Sequence, residues 1–178
     1  MTSVTTRHAT LNDINDHTVE RISKLINDVY DQAESDLWKS KGGRVDNNEV
    51  SRLINNNNLI LAELDGVIIG SVKYEPVDQS ICEFGMLVAD ENYRGKGIGT
   101  LLVNAAENWA IKNGYKTMQL ELLTPRHWKN DSKEFLKKWY SRIGYKPTHT
   151  MAFEQHFSER INDMATECDF TVWLKNIS

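Results

Sequence analysis

The chain has 178 residues, 40% hydrophobic and 26% charged, with a formal net charge of -4. That length suits a single domain over 1–178 with a sizeable core, and the composition is that of a folded chain rather than a disordered one. The acidic balance gives no electrostatic footprint for nucleic acid. No apolar run reaches the length of a membrane span, and residues 1–10 lack the apolar core of a signal peptide, so a cytoplasmic protein with no membrane partner is expected. Cys82 and Cys168 lie in apolar, strand-like segments with no Cys-x-x-Cys spacing and no histidine pair nearby. They are expected to be reduced core residues, and no metal site is expected.

In chain order, residues 7–11 read as a short first strand, after which Asp13 and Asp16 offer caps for a helix. That helix repeats apolar residues at Val19, Ile22, Leu25, Ile26 and Val29, and ends between Tyr30 and Trp38. Asp46 or Asn47 caps a second short helix through Val50, Leu53 and Ile54. Strands over Leu59–Leu64 and 67–74 flank Asp65-Gly66, the dipeptide of a type I′ hairpin, and Ile81–Ala89 completes a three-stranded meander. Behind it a helix carries Ile98, Leu101, Leu102, Ala105, Ala106 and Trp109 on one stripe and stops at Asn113-Gly114. A strand over 116–123 follows, and the strand, helix, strand succession predicts a parallel pair. From Ser132 a further helix presents Phe135, Leu136, Trp139, Tyr140 and Ile143 and ends at Gly144. Two strands, 145–153 and 169–174, close the chain around an insertion over 154–166.

The stretch with most chemical content is Arg94-Gly95-Lys96-Gly97-Ile98-Gly99-Thr100, between the third strand of the meander and a helix. A helix start concentrates unpaired N–H groups and the positive end of the helix dipole, and glycines let a ligand approach the backbone, so the loop is expected to bind phosphates. It is not a Walker loop, because Lys96 is followed by Gly97 rather than Ser or Thr. Nor is it a dinucleotide fingerprint, whose sixth position is occupied here by Thr100. The loop resembles the Arg/Gln-x-x-Gly-x-Gly/Ala signature of the Gcn5-related N-acetyltransferases, the GNAT superfamily. Trp139-Tyr140-Ser141-Arg142-Ile143-Gly144-Tyr145 resembles that family's aromatic-Tyr-x-x-x-Gly-aromatic segment.

The resemblance implies the GNAT fold, an α/β (α+β) arrangement with a central mixed sheet of about seven strands flanked by about four helices. It implies an acetyl-CoA-dependent N-acetyltransferase that passes the acetyl group to a primary amine of a small molecule by direct transfer in a ternary complex. The backbone of Leu87, Val88 and Ala89 would pair with the pantetheine arm, and residues 94–100 would wrap the diphosphate. Glu83 matches the family's general base and Tyr140 its general acid. Burial among Ile, Phe, Met, Leu and Val would make Glu83 a better proton acceptor near neutrality. Many members carry an asparagine that contacts the cofactor where this chain has Lys133; the position departs from the pattern, and the resemblance nominates Lys133 for that cofactor contact. For the acceptor, the resemblance nominates the first two helices and the loop after the strand ending at Leu123. Tyr30, Glu34, Asp36 and Trp38 lie there, with His127 and Trp128 and the insertion around His156 and Phe157. Acid beside aromatic side chains would suit a protonated amine. Homodimers are frequent in the superfamily, and the last strands offer a pairing edge. Two rival readings are a non-catalytic acyl-CoA-binding sensor and a protein or peptide acetyltransferase.

Overall fold

The computed structural model describes residues 3–178. Strands β1 (Thr5–His8), β2 (Leu59–Leu64), β3 (Val67–Pro76), β4 (Ile81–Ala89), β5 (Thr117–Pro125), β6 (Lys146–Ala152) and β7 (Cys168–Asn176) form one seven-stranded sheet. Its order is β1-β2-β3-β4-β5-β7-β6. Every neighbouring pair is antiparallel except β4 and β5, the parallel pair expected from the sequence. Asp65 and Gly66 both take positive φ, 52° and 78°, as a type I′ turn requires.

The main helices are α1 (Asp16–Ala33), α2 (Asn47–Asn55), α3 (Ile98–Lys112) and α4 (Asp131–Arg142). Helix α1 is capped by Asn15, which accepts the Thr18 N–H at 3.0 Å, rather than by Asp13 or Asp16. Asp13 is occupied elsewhere: its carboxylate takes the Thr10 N–H and pairs with Arg7 at 2.8 Å. The first strand accordingly ends at His8, earlier than expected, because Leu11–Asp13 form a 3-10 turn. Asp46 caps α2 and Asn130 caps α4, each through a side-chain oxygen. Helix α3 differs, since its N-cap is Gly97, at φ 69° and with no side-chain cap.

The sheet buries a core on each face. Helices α1 and α2 cover Leu59, Leu61, Ile68 and Val88, while α3 and α4 cover Ile60, Ala62, Ile69, Val72, Phe84 and Leu122. On α4 the inward stripe is Lys133, Leu136, Tyr140 and Ile143; Phe135, expected on it, is 62% exposed. One residue is about 100° of helix turn, so Phe135 cannot share a face with Leu136 and Tyr140 when Lys133 also turns inward. Cys82 and Cys168 are free and buried, and burial pushes both thiols up to about 11.

A third, smaller core joins Leu37, Leu123, Phe153, Met164 and Cys168. It anchors the insertion, whose one-turn helix α5 (Phe153–His156) and 3-10 segment Ser158–Asp163 fold back over the α1–α2 loop. Lys39 N–H donates to the Asp163 carbonyl at 2.9 Å, and Ala165 N–H donates to the Leu37 carbonyl at 2.8 Å. The insertion is thus strapped to that loop by backbone bonds.

Helix α3 sits close on the sheet because β3 has no side chain at Gly70. A Cβ there would lie 2.7 Å from Ile98 Cγ2 and 2.9 Å from the Val88 carbonyl oxygen, and the carbonyl cannot move aside. Gly70→Ala is therefore expected to cost about 1–3 kcal/mol, read as a lower urea midpoint with an unchanged slope. Gly43→Ala, where the added Cβ meets nothing within 4 Å, is the control and should leave the midpoint in place.

Candidate active site

Strands β4 and β5 pair only over Ile81–Thr117, Cys82–Met118 and Glu83–Gln119, yet β4 runs on to Ala89 and β5 to Pro125. Beyond Glu83 the two strands diverge and open a slot. The cause lies in β4. Its register with β3 passes from Lys73–Gly85 to Ser71–Val88, so Met86 and Leu87 together face Val72. That is a β-bulge, with Met86 at φ 45°. The extra residue bends β4 away from β5, and Leu87 has a register partner on neither side. Nothing in the sequence marks this bulge, because a methionine in an apolar strand carries no turn signal.

The end of β4 delivers the chain to the glycine loop. Arg94, Gly95, Lys96 and Gly97 are exposed, Gly95 and Gly97 both have positive φ, and a Cβ on either would meet nothing within 4 Å. With no side-chain cap, the first N–H groups of α3, those of Ile98, Gly99 and Thr100, are open to an anion. The Ile98 side chain is in the core, so its contribution here is its backbone. Gly99 faces the Trp139 ring of α4, 3.5 Å from where a Cβ would stand. The loop and slot fit the diphosphate and extended arm of coenzyme A in these respects.

Glu83 and Tyr140 approach the slot from opposite faces. Phe84 rests on Tyr140 and Tyr145, with ring centroids 6.1 and 5.7 Å apart. Strand alternation then turns Glu83 to the α1/α2 face. Its carboxylate accepts a hydrogen bond from Gln119 Nε2 at 2.6 Å. Burial raises the Glu83 pKa above the ordinary glutamate value, and the Gln119 bond offsets part of that rise. Tyr140 is 5% exposed, and burial, followed by the nearby Tyr30, holds its hydroxyl well above the usual tyrosine range. Its ring lies among Phe84, Trp139, Tyr145 and Trp173.

Lys133 is buried, and its ammonium is paired with Glu34, also buried, across a sequence separation of 99. The second Glu34 oxygen accepts Trp38 Nε1–H at 2.7 Å. This pair ties the end of α1 to the first turn of α4, where the sequence reading had a cofactor contact for Lys133 and a substrate contact for Glu34. Tyr30, Glu34 and Trp38 line one cleft with Arg44 and Arg160. His127 and Trp128 are not part of it; they bond Glu167 at 2.8 Å and Thr166 at 3.1 Å on the approach to β7. The aromatic faces expected to receive a substrate amine are covered by the chain's own cations, Arg44 over Tyr30 at 4.5 Å and Arg160 over Trp38 at 4.7 Å.

Among the described residues no group of three or more His, Cys, Asp or Glu side chains could hold a metal ion, and no helix is long and apolar enough to cross a membrane. No curated protein matches the chain. Among solved structures, an aminoglycoside 6′-N-acetyltransferase complexed with coenzyme A superposes with a TM-score of 0.72 at 17% identity, covering 98% of this chain and 97% of that one. An N-acetyltransferase from Staphylococcus aureus Mu50 gives 0.71 at 16% identity, with 99% of each chain covered. The yncA protein of Salmonella typhimurium, solved with its cofactor acetyl-CoA, gives 0.69 at 14%, covering 99% of this chain and 95% of that one. At these identities the likeness establishes the fold. The model of the acetyltransferase (GNAT) family matches residues 20–140, a stretch that spans the bulged strand, the uncapped glycine loop and Tyr140, and by that match the chain belongs to this family of acetyl-CoA-dependent acyltransferases.

Proposed function

We propose that the protein transfers the acetyl group of acetyl-CoA directly to the primary amine of a small molecule, with both substrates bound at once. The observation that carries this reading is the slot between β4 and β5, with Glu83 on one face and Tyr140 on the other. Bound acetyl-CoA supplies the acyl group as a thioester. The residues of the chain then have three tasks.

The amine must lose a proton, because a primary amine with a pKa of about 10 is mostly charged at neutral pH. Glu83, its pKa raised by burial, is suited to accept that proton directly or through a water. The carbonyl oxygen gains charge as the amine attacks, and the Leu87 N–H, in the bulge, is the donor assigned to it. The departing sulfur needs a proton, and Tyr140 keeps one to give because its hydroxyl stays protonated far above neutrality. Arg94, Lys96 and the amides of Gly95, Gly97, Ile98, Gly99 and Thr100 are assigned to the diphosphate, and Leu87, Val88 and Ala89 to the pantetheine arm. The strap between the insertion and the α1–α2 loop narrows the groove a peptide would need, which favours a small acceptor.

Tyr140→Phe keeps the ring and its four aromatic contacts, so the melting temperature and coenzyme A affinity should change little. Turnover should fall about 100-fold or more, and unchanged turnover with a good acceptor would remove Tyr140 from the chemistry. Glu83 must be ionised to act, so the rate should fall as pH drops through its raised pKa. Gln119→Leu deletes the bond that lowers that pKa, and the acidic limb of the pH–rate profile should move to higher pH. In Glu83→Gln turnover should drop most between the raised Glu83 pKa and the pKa of the amine, where the carboxylate is ionised and little free amine exists; a profile identical to that of the unsubstituted protein would rule out the base role.

A further inference from the structure

The cleft lined by Tyr30, Glu34, Trp38, Arg44 and Arg160 has a different charge once existing bonds are subtracted. Its acids are all engaged. Asp31 receives the Gly42 N–H with both oxygens, at 2.8 and 2.9 Å. Glu34 is shared between Lys133 and Trp38. Asp163 takes Arg160 Nε at 3.3 Å. The cations are far less engaged. Among the described residues Arg44 and Lys41 have no carboxylate within ion-pair distance, and Arg160 contacts Asp163 through Nε alone.

Arg44 and Arg160 are also held in place. Each lies over an aromatic ring, and stacking uses the face of a guanidinium while leaving N–H groups at its edge. Two fixed guanidiniums beside a lysine, in a cleft where Glu34 and Asp163 are paired with cations and only Asp31, held by the Gly42 N–H, keeps an unpaired charge, match a carboxylate. At about 260 Å³ the cleft has room for a molecule of amino-acid size. It also adjoins the chemistry, since Tyr30, which lines it, lies near Tyr140. Tyr30 lies one helical turn before Glu34 on α1, Tyr140 lies two turns after Lys133 on α4, and the Glu34–Lys133 pair holds those two helices together.

We infer that the acceptor is an amine that carries a carboxylate, an amino acid or a close relative, whose carboxylate is bound by Arg44 and Arg160 while its amine points toward the slot. This rests on the acetyl-transfer reading above and names its substrate class. It departs from the sequence expectation of an acid-lined pocket for a simple cation, because Glu34 is paired with Lys133 and Asp36 does not line the cleft.

The test uses the full chain, acetyl-CoA and matched pairs of acceptors that differ only in the carboxylate: lysine and cadaverine, ornithine and putrescine, phenylalanine and phenethylamine, tyrosine and tyramine. Thiol release is expected to favour the amino acid by about tenfold or more in kcat/KM, and the double substitution Arg44→Gln, Arg160→Gln should bring that ratio close to one. A ratio favouring the decarboxylated amines, or one unaltered by the double substitution, overturns the assignment while leaving acetyl transfer intact. Binding is measured separately through tryptophan fluorescence, since Trp38 lines the cleft. Selective binding of the carboxylated partner without turnover would uphold the cleft and refute the acetyl-transfer reading. Equal binding of both members of every pair would refute the cleft. Melting curves of the double variant identify misfolding, and Arg44→Lys, which keeps charge but loses the planar fork, should retain only part of the discrimination.

Discussion

The arrangement of the site depends on one interruption of backbone pairing. Strands β4 and β5 are held together through three residue pairs and then part, because β4 takes in an extra residue at Met86. Backbone N–H and C=O groups in a sheet interior are costly to leave unpaired, so a sheet opened at its centre offers its edges to an extended ligand. Everything else is placed relative to that opening. The chain leaves β4 directly into the glycine loop, and the bare N-terminus of α3 stands at the slot's end. On the far side β5 leads to α4, which brings Tyr140 back against Phe84. Gly70 lets α3 come close enough for these parts to meet.

Much of this was legible in the sequence. The 3.6-residue stripe of α1, the Asp65-Gly66 turn, the limits of β4 and the parallel β4–β5 pair follow from local pattern, because each is set by neighbouring residues or by short-range steric preference. On α3, Ile98, Leu102 and Ala106 are buried as expected, whereas Leu101 is 37% exposed. Gly95 and Gly97 were expected to let a ligand approach the backbone; in the structure both have positive φ and open space where a Cβ would stand. What the sequence did not disclose was non-local or unmarked. Met86 takes a positive φ without the glycine or asparagine that would signal it. Lys133 and Glu34 are separated by 99 positions, and neither flanking sequence says that they meet. Phe135 counted as core on hydrophobicity alone, while a lysine took the inward position.

The Glu34–Lys133 pair changes how the rest of the cleft is read. Two ions at 3% and 5% exposure have lost most of their hydration, and the cost is offset only if each keeps its partner and the remaining oxygens find donors. Trp38 supplies the donor to the second oxygen of Glu34. A carboxylate in that position is structural in effect: it joins α1 to α4, and its charge is cancelled before any substrate arrives.

Counting acidic and basic residues around a cleft therefore misstates its field. The relevant sum leaves out every charge that the fold has already paired, and here that sum moves from balance to a positive excess. Glu34 drops out against Lys133 and Asp163 against Arg160, while Asp31, held by the Gly42 N–H, keeps its charge against Arg44 and Lys41, and the terminal nitrogens of Arg160 stay free to donate. The aromatic rings that looked like seats for a substrate cation instead immobilise two of those cations, which lowers the entropy lost when an anion is bound. In the proposed reading, selectivity for the acceptor comes from the carboxylate at one end, with the amine left free at the other for Glu83, the proton acceptor proposed on β4.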